Sequence, residues 1–181
     1  MKATSVLIPT VLSRCVLRSW LQSDQAQLVA QANNRKVWRN LTHMFPHPYT
    51  LADAESWVLL ASEEGPSLHL AIEVEGRIAG GIGAIAGQGI SQATADLGYW
   101  LGEEYWGRGI ASAAAAAFVK HLTASGRFAR LQAPVFAWNP ASMRVLEKVG
   151  FTREGVLRKS VSKDGALIDS VMYAYVVEAE L

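Results

Sequence analysis

Three observations make this sequence a single α+β domain covering residues 1–181. Strand-like segments follow one another between Ser67 and Leu101 with no helix between them, which implies an antiparallel meander. A strand, a glycine turn, a long helix, another strand and a short helix then succeed each other from Thr94 to Gly150. Half of the residues (50%) are hydrophobic and 18% are charged, below the roughly 25% charged of an average soluble domain, so core material is plentiful and disorder is not expected.

In chain order, Cys15–Trp20 reads as a short strand, and Asp24 is placed to cap a helix carrying Ala26, Leu28, Val29 and Ala32. Leu41–Thr50, with Pro46 and Pro48, reads as a loop, after which Thr50 caps a helix to about Glu63. From Ser67 to Glu75 the chain alternates, Leu68, Leu70, Ile72 and Val74 on one face against His69, Glu73 and Glu75 on the other. Glu75-Gly76 turns it into a second strand, Arg77–Ala86, whose glycine-rich end precedes a third at about Thr94–Leu101. Gly107-Arg108-Gly109 opens a helix to about Ala124, in which Ile110, Ala114, Phe118 and Leu122 recur every fourth residue as a buried stripe. Ala129–Trp138 is a further strand. Asn139 and Pro140 start a short helix that Gly150 stops, and Val156–Ser162 pairs with Ala166–Val176 around Lys163-Asp164-Gly165. No repeat, low-complexity segment or linker interrupts the pattern.

Charge and cysteine content exclude several classes of function. Lys and Arg total 17 against 16 Asp and Glu, a formal charge of +1, which argues against the basic surface of a nucleic-acid binder and requires any bound anion to be held locally. The single cysteine, Cys15, allows no internal disulfide and no zinc site of cysteine pairs; it is expected to pack, and its isolation fits a reducing cytoplasm. Met1–Pro9 begins like a signal peptide, but Pro9 and Arg14 break the apolar run, so no secretion signal is expected. The weakly polar run Gly109–Val119 falls short of the ~18 residues a membrane span needs, so no membrane partner is expected.

Chemistry concentrates in two segments. In Leu97–Ala111 a strand runs through a turn into a long helix, with Gly107 and Gly109 one residue apart. Glycine lets backbone N–H groups approach an anion without Cβ obstruction, and the free amides of a helix N-terminus carry partial positive charge toward it. A pyrophosphate suits that nest, and Arg108 adds a full charge beside it. Two such glycines also suit an ordinary tight turn. In Asn139–Phe151 the cap and the stop residue account for Asn139 and Gly150, but not for Ser142 in the first turn, whose hydroxyl can face whatever lies beside the preceding strand's end.

Together these segments resemble the GNAT acetyltransferase family. Its cofactor motif Gln/Arg-x-x-Gly-x-Gly/Ala is matched by Glu104-Tyr105-Trp106-Gly107-Arg108-Gly109, and Asn139-Pro140-Ala141-Ser142 through Glu147-Lys148-Val149-Gly150-Phe151 is similar to its second cofactor element. Gly98-Tyr99-Trp100-Leu101, Tyr105–Gly109, Gly150–Gly155 and Asp169-Ser170-Val171-Met172-Tyr173 are similar, more narrowly, to the RimJ/RimL branch of ribosomal-protein N-terminal acetyltransferases. The resemblance covers nearly the whole chain in the right order.

The resemblance implies a mixed, mostly antiparallel sheet with a splayed strand pair and flanking helices. It also implies transfer of an acetyl group from acetyl-CoA, as co-substrate, to a primary amine by direct attack in a ternary complex. The acceptor is a small amine or a protein N-terminus, and many relatives are homodimers. The pyrophosphate would rest on the amides of Trp106, Gly107, Arg108, Gly109, Ile110 and Ala111, the pantetheine arm would run along Trp100 and Leu101, and Asn139 would hydrogen-bond that arm. Glu104 stands where the family has Gln or Arg, and its carboxylate must point away from a pyrophosphate. Many relatives use a tyrosine to protonate the departing thiolate; that position is Leu146, and Ser142 is the nearest alternative donor. Asp96 could relay the amine's proton through water, or be a surface strand residue.

His43, Phe45, His47 and Tyr49 are expected in the acceptor mouth, with ordinary loop packing as the other reading. Pro46 and Pro48 spoil a helical metal site at His43 and His47, so no metal is expected, while His69 and His121 read as structural. Gly81–Ala86 is a partial dinucleotide fingerprint, but no helix follows it. A binding module that holds acyl-CoA as a sensor or scaffold remains the competing function.

Overall fold

The computed structural model describes residues 5–177. Eight strands form one sheet: β1 (Leu7–Pro9), β2 (Cys15–Arg18), β3 (Leu68–Val74), β4 (Arg77–Ala86), β5 (Thr94–Leu101), β6 (Arg130–Phe136), β7 (Thr152–Lys163) and β8 (Ala166–Val176), in the order β1-β2-β3-β4-β5-β6-β8-β7. Neighbours are antiparallel except β5 and β6, which run parallel. The helices are α1 (Gln25–Ala32), α2 (Arg35–Trp38), α3 (Leu51–Ala61), α4 (Ile110–Ala124) and α5 (Pro140–Val149). The meander, the strand-turn-helix centre and the closing hairpin match the expected order. β1 and α2 were not anticipated, and β7 starts four residues before the expected strand at Val156.

Alternation along the strands builds a core on each face. Leu70 and Ile72 of β3 join Ala95, Leu97 and Leu101 of β5 under α4 and α5, while Ala71 and Ile78 turn the other way to meet Trp20, Leu28, Ala54 and Val58 under α1 and α3. The α4 stripe is buried as its spacing requires, with Ile110, Ala114, Phe118 and Leu122 at 4%, 0%, 0% and 5% exposure. Cys15 is buried in the same core. Thr50 starts α3 by accepting from the Asp53 N–H, and the Asp53 carboxylate accepts in return from the Thr50 N–H at 2.8 Å.

Asp24 departs from its expected role. It precedes α1, but its side chain makes no cap. The carboxylate, only 3% exposed, accepts from both terminal nitrogens of Arg18 (2.7 and 2.9 Å) and from the Leu21 N–H (2.8 Å), while Arg18 Nε donates to Glu73 at 2.5 Å. A nearly buried carboxylate loses more from leaving a guanidinium unpaired than it gains from one helix amide. This network ties the start of α1 to the middle of the sheet.

His69 packs edge-on to Trp57, with ring centroids 5.1 Å apart, and burial lowers its pKa from the ordinary 6.5. The unfolded chain therefore takes up a proton that the folded chain resists. The contribution of this group to stability is whole above the unfolded value and is lost as pH falls below it. Thermal melts from pH 7 to pH 5 are expected to fall less steeply for His69→Gln than for the wild type; identical slopes would refute the assignment. His121 lies exposed in the last turn of α4.

Candidate active site

The site begins where the sheet comes apart. β5 pairs with β6 only through Thr94↔Arg130, Ala95↔Leu131 and Asp96↔Gln132, while β5 stays paired to β4 as far as Leu101 and β6 to β8 as far as Phe136. Beyond Asp96 the two strands diverge, giving the splayed pair. Pro134 lies just past the last pair. The Ala137 N–H bonds to the Asp169 C=O at 2.9 Å, so odd-numbered residues of β6 turn their peptide groups to β8 and even-numbered ones face β5. The donor that Pro134 lacks would thus have pointed into the opening.

The same parity decides which β5 groups line that opening. The Gly102 N–H bonds to Ala79 C=O and the Gly87 N–H to Thr94 C=O, both at 2.8 Å, so even-numbered residues face β4 and Leu97, Tyr99 and Leu101 face the gap. Of the two residues expected along the pantetheine arm, Leu101 faces the gap and Trp100 does not. The Trp100 peptide belongs to the β4 ladder, and its indole lies on the opposite face against Phe45, 5.4 Å between centroids. The Leu101 carbonyl already accepts from Trp106 Nε1 at 2.9 Å. Tyr99, part of the Gly98–Leu101 segment but not among the expected site residues, presents its peptide N–H and C=O to the opening with no strand opposite.

At the end of β5 the chain turns into α4 through Gly107 (φ 72°) and Gly109 (φ 74°), both left-handed. A Cβ on either would meet nothing within 4 Å, so glycine serves the backbone angle there and not a close contact. The first helical bond runs from the Ala113 N–H to Gly109 C=O at 3.0 Å, leaving the amides of Ile110, Ala111 and Ser112 without an intrahelical partner. Left-handed residues flanking Arg108 add a concave run of amides ahead of them.

The Arg108 guanidinium lies 5.8 Å from the Tyr105 ring centroid. The acidic side chains of the turn are held elsewhere. Gln31 donates to Glu104 at 2.6 Å, and Glu103 accepts from Asn34 at 2.9 Å and pairs with Lys36, which holds its pKa below the usual carboxylate value. Both carboxylates of the turn are thus engaged by side chains of the Gln31–Lys36 segment.

α5 closes the other side of the opening. Asn139 Oδ1 accepts from the Ser142 N–H at 3.2 Å, so its oxygen is spent on the cap and its amide nitrogen keeps its donors. Tyr99 crosses from β5 to this first turn, its hydroxyl 2.8 Å from Ser142 Oγ and 3.1 Å from the Ser142 carbonyl. Burial pushes the Tyr99 phenol up to about 12, with the serine hydrogen bond opposing, so it stays protonated at neutral pH. Leu146 is fully buried in the core and bears on nothing in the opening.

The remaining expected residues are scattered. Asp96 lies on the other face of β5 from Tyr99 and is held by Gln132 Nε2 at 2.8 Å, so the structure does not bring it together with Ser142. Tyr49 is a core residue at 5% exposure, stacked with Phe45 at 4.9 Å. Phe45 is half-buried between it and Trp100, His47 meets Trp38 at 5.7 Å, and His43 is exposed. Among the described residues no three His, Cys, Asp or Glu side chains cluster as a metal site would require, and no helix is long and apolar enough to cross a membrane.

Comparison with known proteins agrees with this geometry. The family model described as acetyltransferase (GNAT) domain matches residues 14–152. The ribosomal-protein-serine acetyltransferase of Escherichia coli strain K12 is 34% identical over 87 residues, 48% of this chain and 49% of that protein. The uncharacterized N-acetyltransferase YoaA of Bacillus subtilis strain 168 is 35% identical over 101 residues, 55% and 57% of the two chains. The chain thus spans about half the length of these curated relatives. A solved structure of RimL, the ribosomal L7/L12 alpha-N-protein acetyltransferase, in complex with coenzyme A, superposes with a TM-score of 0.83 at 25% identity, covering 95% of this chain and 98% of that one. Since the family model spans well over half of its residues, the chain belongs to the GNAT acetyltransferase family.

Proposed function

We propose that this protein is an N-acetyltransferase that moves an acetyl group from acetyl-CoA to a primary amine by direct attack in a ternary complex. The observation that carries this reading is the unpaired half of β5, which opens beside the amide nest at Gly107–Ser112. The amides and Arg108 suit a pyrophosphate. The Tyr99 peptide groups, the Leu101 N–H and the Asn139 side-chain amide suit the amide-bearing arm as an added strand. Bound there, acetyl-CoA would supply the activated thioester.

The protein's own part is positioning and one hydrogen bond. Tyr99 has a single proton to give. When that proton goes to the Ser142 carbonyl, Ser142 Oγ–H points to the phenol oxygen; when it goes to Oγ, the serine O–H is free to donate a hydrogen bond to the departing thiolate, which takes its proton from water as the amine gives one up to water. Ser142 is thus the residue in contact with the reacting sulfur, and Tyr99 positions it. Asp96, on the face of β5 that carries Trp100, is held by Gln132 Nε2 at 2.8 Å and is given no part in the thiolate's departure. The attacking amine must be neutral, and its proton leaves through water; holding it near the thioester supplies much of the rate.

The acceptor approaches past Phe45, His47 and Trp38. RimL is named as an alpha-N-protein acetyltransferase, and a protein α-amine, or a small amine of like reach, suits an opening of this kind. The test is a screen of amines and free N-terminal peptides for CoA thiol release, with mass detection of the product. Acetylated product is expected. Tight acetyl-CoA binding with no thiol release above background would leave a binding module instead.

A further inference from the structure

We infer that Lys163 and Trp138 form a pocket for an anionic oxygen group, a carboxylate or phosphate, carried by the acceptor amine. This rests on the acetyltransferase reading. Lys163 ends β7 and is 6% exposed, yet its Nζ has no hydrogen-bond partner among the described residues. It lies 3.7 Å from the centre of the Trp38 ring. The adjacent carboxylate, Asp164, pairs with Arg35 at 2.6 Å. Trp138 Nε1 is likewise buried and unpartnered among the described residues.

The topology brings these two donors to one face of the sheet, on either side of β8. β6 pairs Phe136 with Ser170, so the chain beyond it runs along the early part of β8, where β7 pairs Val161 with Ile168 and Lys163 with Ala166. α2 supplies the common floor: Trp38 meets Lys163, and the guanidinium of Arg39, the next residue, lies 4.5 Å from the Trp138 ring centroid. A buried ammonium and a buried indole N–H without acceptors are each unfavourable, and one anionic oxygen group satisfies both. Burial also lowers the Lys163 pKa, which an anion would reverse.

A purely structural strap is a poorer account. Arg35–Asp164 already ties the hairpin tip to α2, and the strap leaves the Trp138 N–H unanswered. Trp20 and Trp57 have orphan indole nitrogens too, but they lie in or against the apolar core under α3. Trp138 leads directly into Asn139 and the turn bearing Ser142, so the residue that carries one of the two donors is continuous with the turn that closes the opening.

Two matched acceptor pairs test this: ω-amino acids of graded length against their amides, and O-phosphoethanolamine against ethanolamine. In Lys163→Met and Trp138→Phe, the preference in kcat/KM for the anionic member is expected to fall about tenfold with the neutral member unchanged. The Tm of Lys163→Met is expected to hold or rise, because an unpaired buried charge has gone. An unchanged preference, or a lower Tm with equal loss on both members, would overturn the pocket. A second measurement needs no turnover. The Trp138 indole N–H resonance, assigned by Trp138→Phe, should shift with butyrate or inorganic phosphate in the wild type and not in Lys163→Met, and which anion acts separates carboxylate from phosphate. No shift with either overturns the pocket, whereas a shift without thiol release would keep the pocket and defeat the transferase reading.

Discussion

Ser142→Ala is expected to lower kcat by roughly thirtyfold, about 2 kcal/mol of transition-state stabilisation, with acetyl-CoA affinity unchanged within about twofold. The hydroxyl belongs to the first turn of α5, which closes one side of the opening between β5 and β6. Among the described residues its side-chain hydrogen-bond partner is Tyr99, at 2.8 Å. Tyr99→Phe removes the hydrogen bond but keeps the packing, and is expected to cost several-fold in kcat, about 1 kcal/mol, with little change in KM for the cofactor. Because Tyr99 acts through Ser142, the double variant should be no slower than Ser142→Ala alone. Additive losses would mean that the two hydroxyls act separately, and an unimpaired Ser142→Ala would remove the serine from the chemistry.

A valine at Gly109 is the second large effect. The position requires φ 74°, where a β-branched side chain costs about 1–3 kcal/mol, and no neighbour within 4 Å would clash with its Cβ. The strain is relieved by opening the turn, which disperses the amides of Gly107–Ser112. Acetyl-CoA affinity should then fall at least about tenfold. Gly126→Val is the matched control. Gly126 has φ 64° and open space around its Cβ, just beyond the far end of α4, so a similar loss of Tm is expected without a change in affinity. Equal affinity in the two variants, measured by calorimetric titration, would show that the amide nest does not bind the cofactor.

These expectations lean on parts of the molecule that differ in how far the sequence reveals them. The α4 stripe, the Thr50 and Asn139 caps, the Gly150 stop and the β3 alternation follow from local periodicity and capping chemistry, and each appears in the structure where the sequence places it. The glycine turn ahead of α4 is legible for the same reason.

What escaped reading depends on partners distant in the chain. Tyr99 looks like any strand residue until it meets Ser142, 43 residues on. Asp24 reads as a cap until Arg18 is folded against it. The four residues of α2 are too few to show a period, and the outer strand β7 is so exposed that no alternation marks its first half. Tyr49 sits in a loop rich in prolines, yet its ring is drawn into the core under α3. Pro134 was the one local sign of the splay: a proline in an otherwise regular strand implies a missing partner on one side.

The central claim is that acetyl-CoA lies across the opening between β5 and β6 with its pyrophosphate on the start of α4. Residue-resolved amide hydrogen exchange, with and without saturating acetyl-CoA, tests it most directly. Slower exchange is predicted at Gly107 to Ser112, at Tyr99 and Leu101, and at Phe136, with the amides of β1, β2 and the β7 edge unchanged. Protection absent from the α4 start and from Tyr99, or found only elsewhere on the molecule, would contradict it.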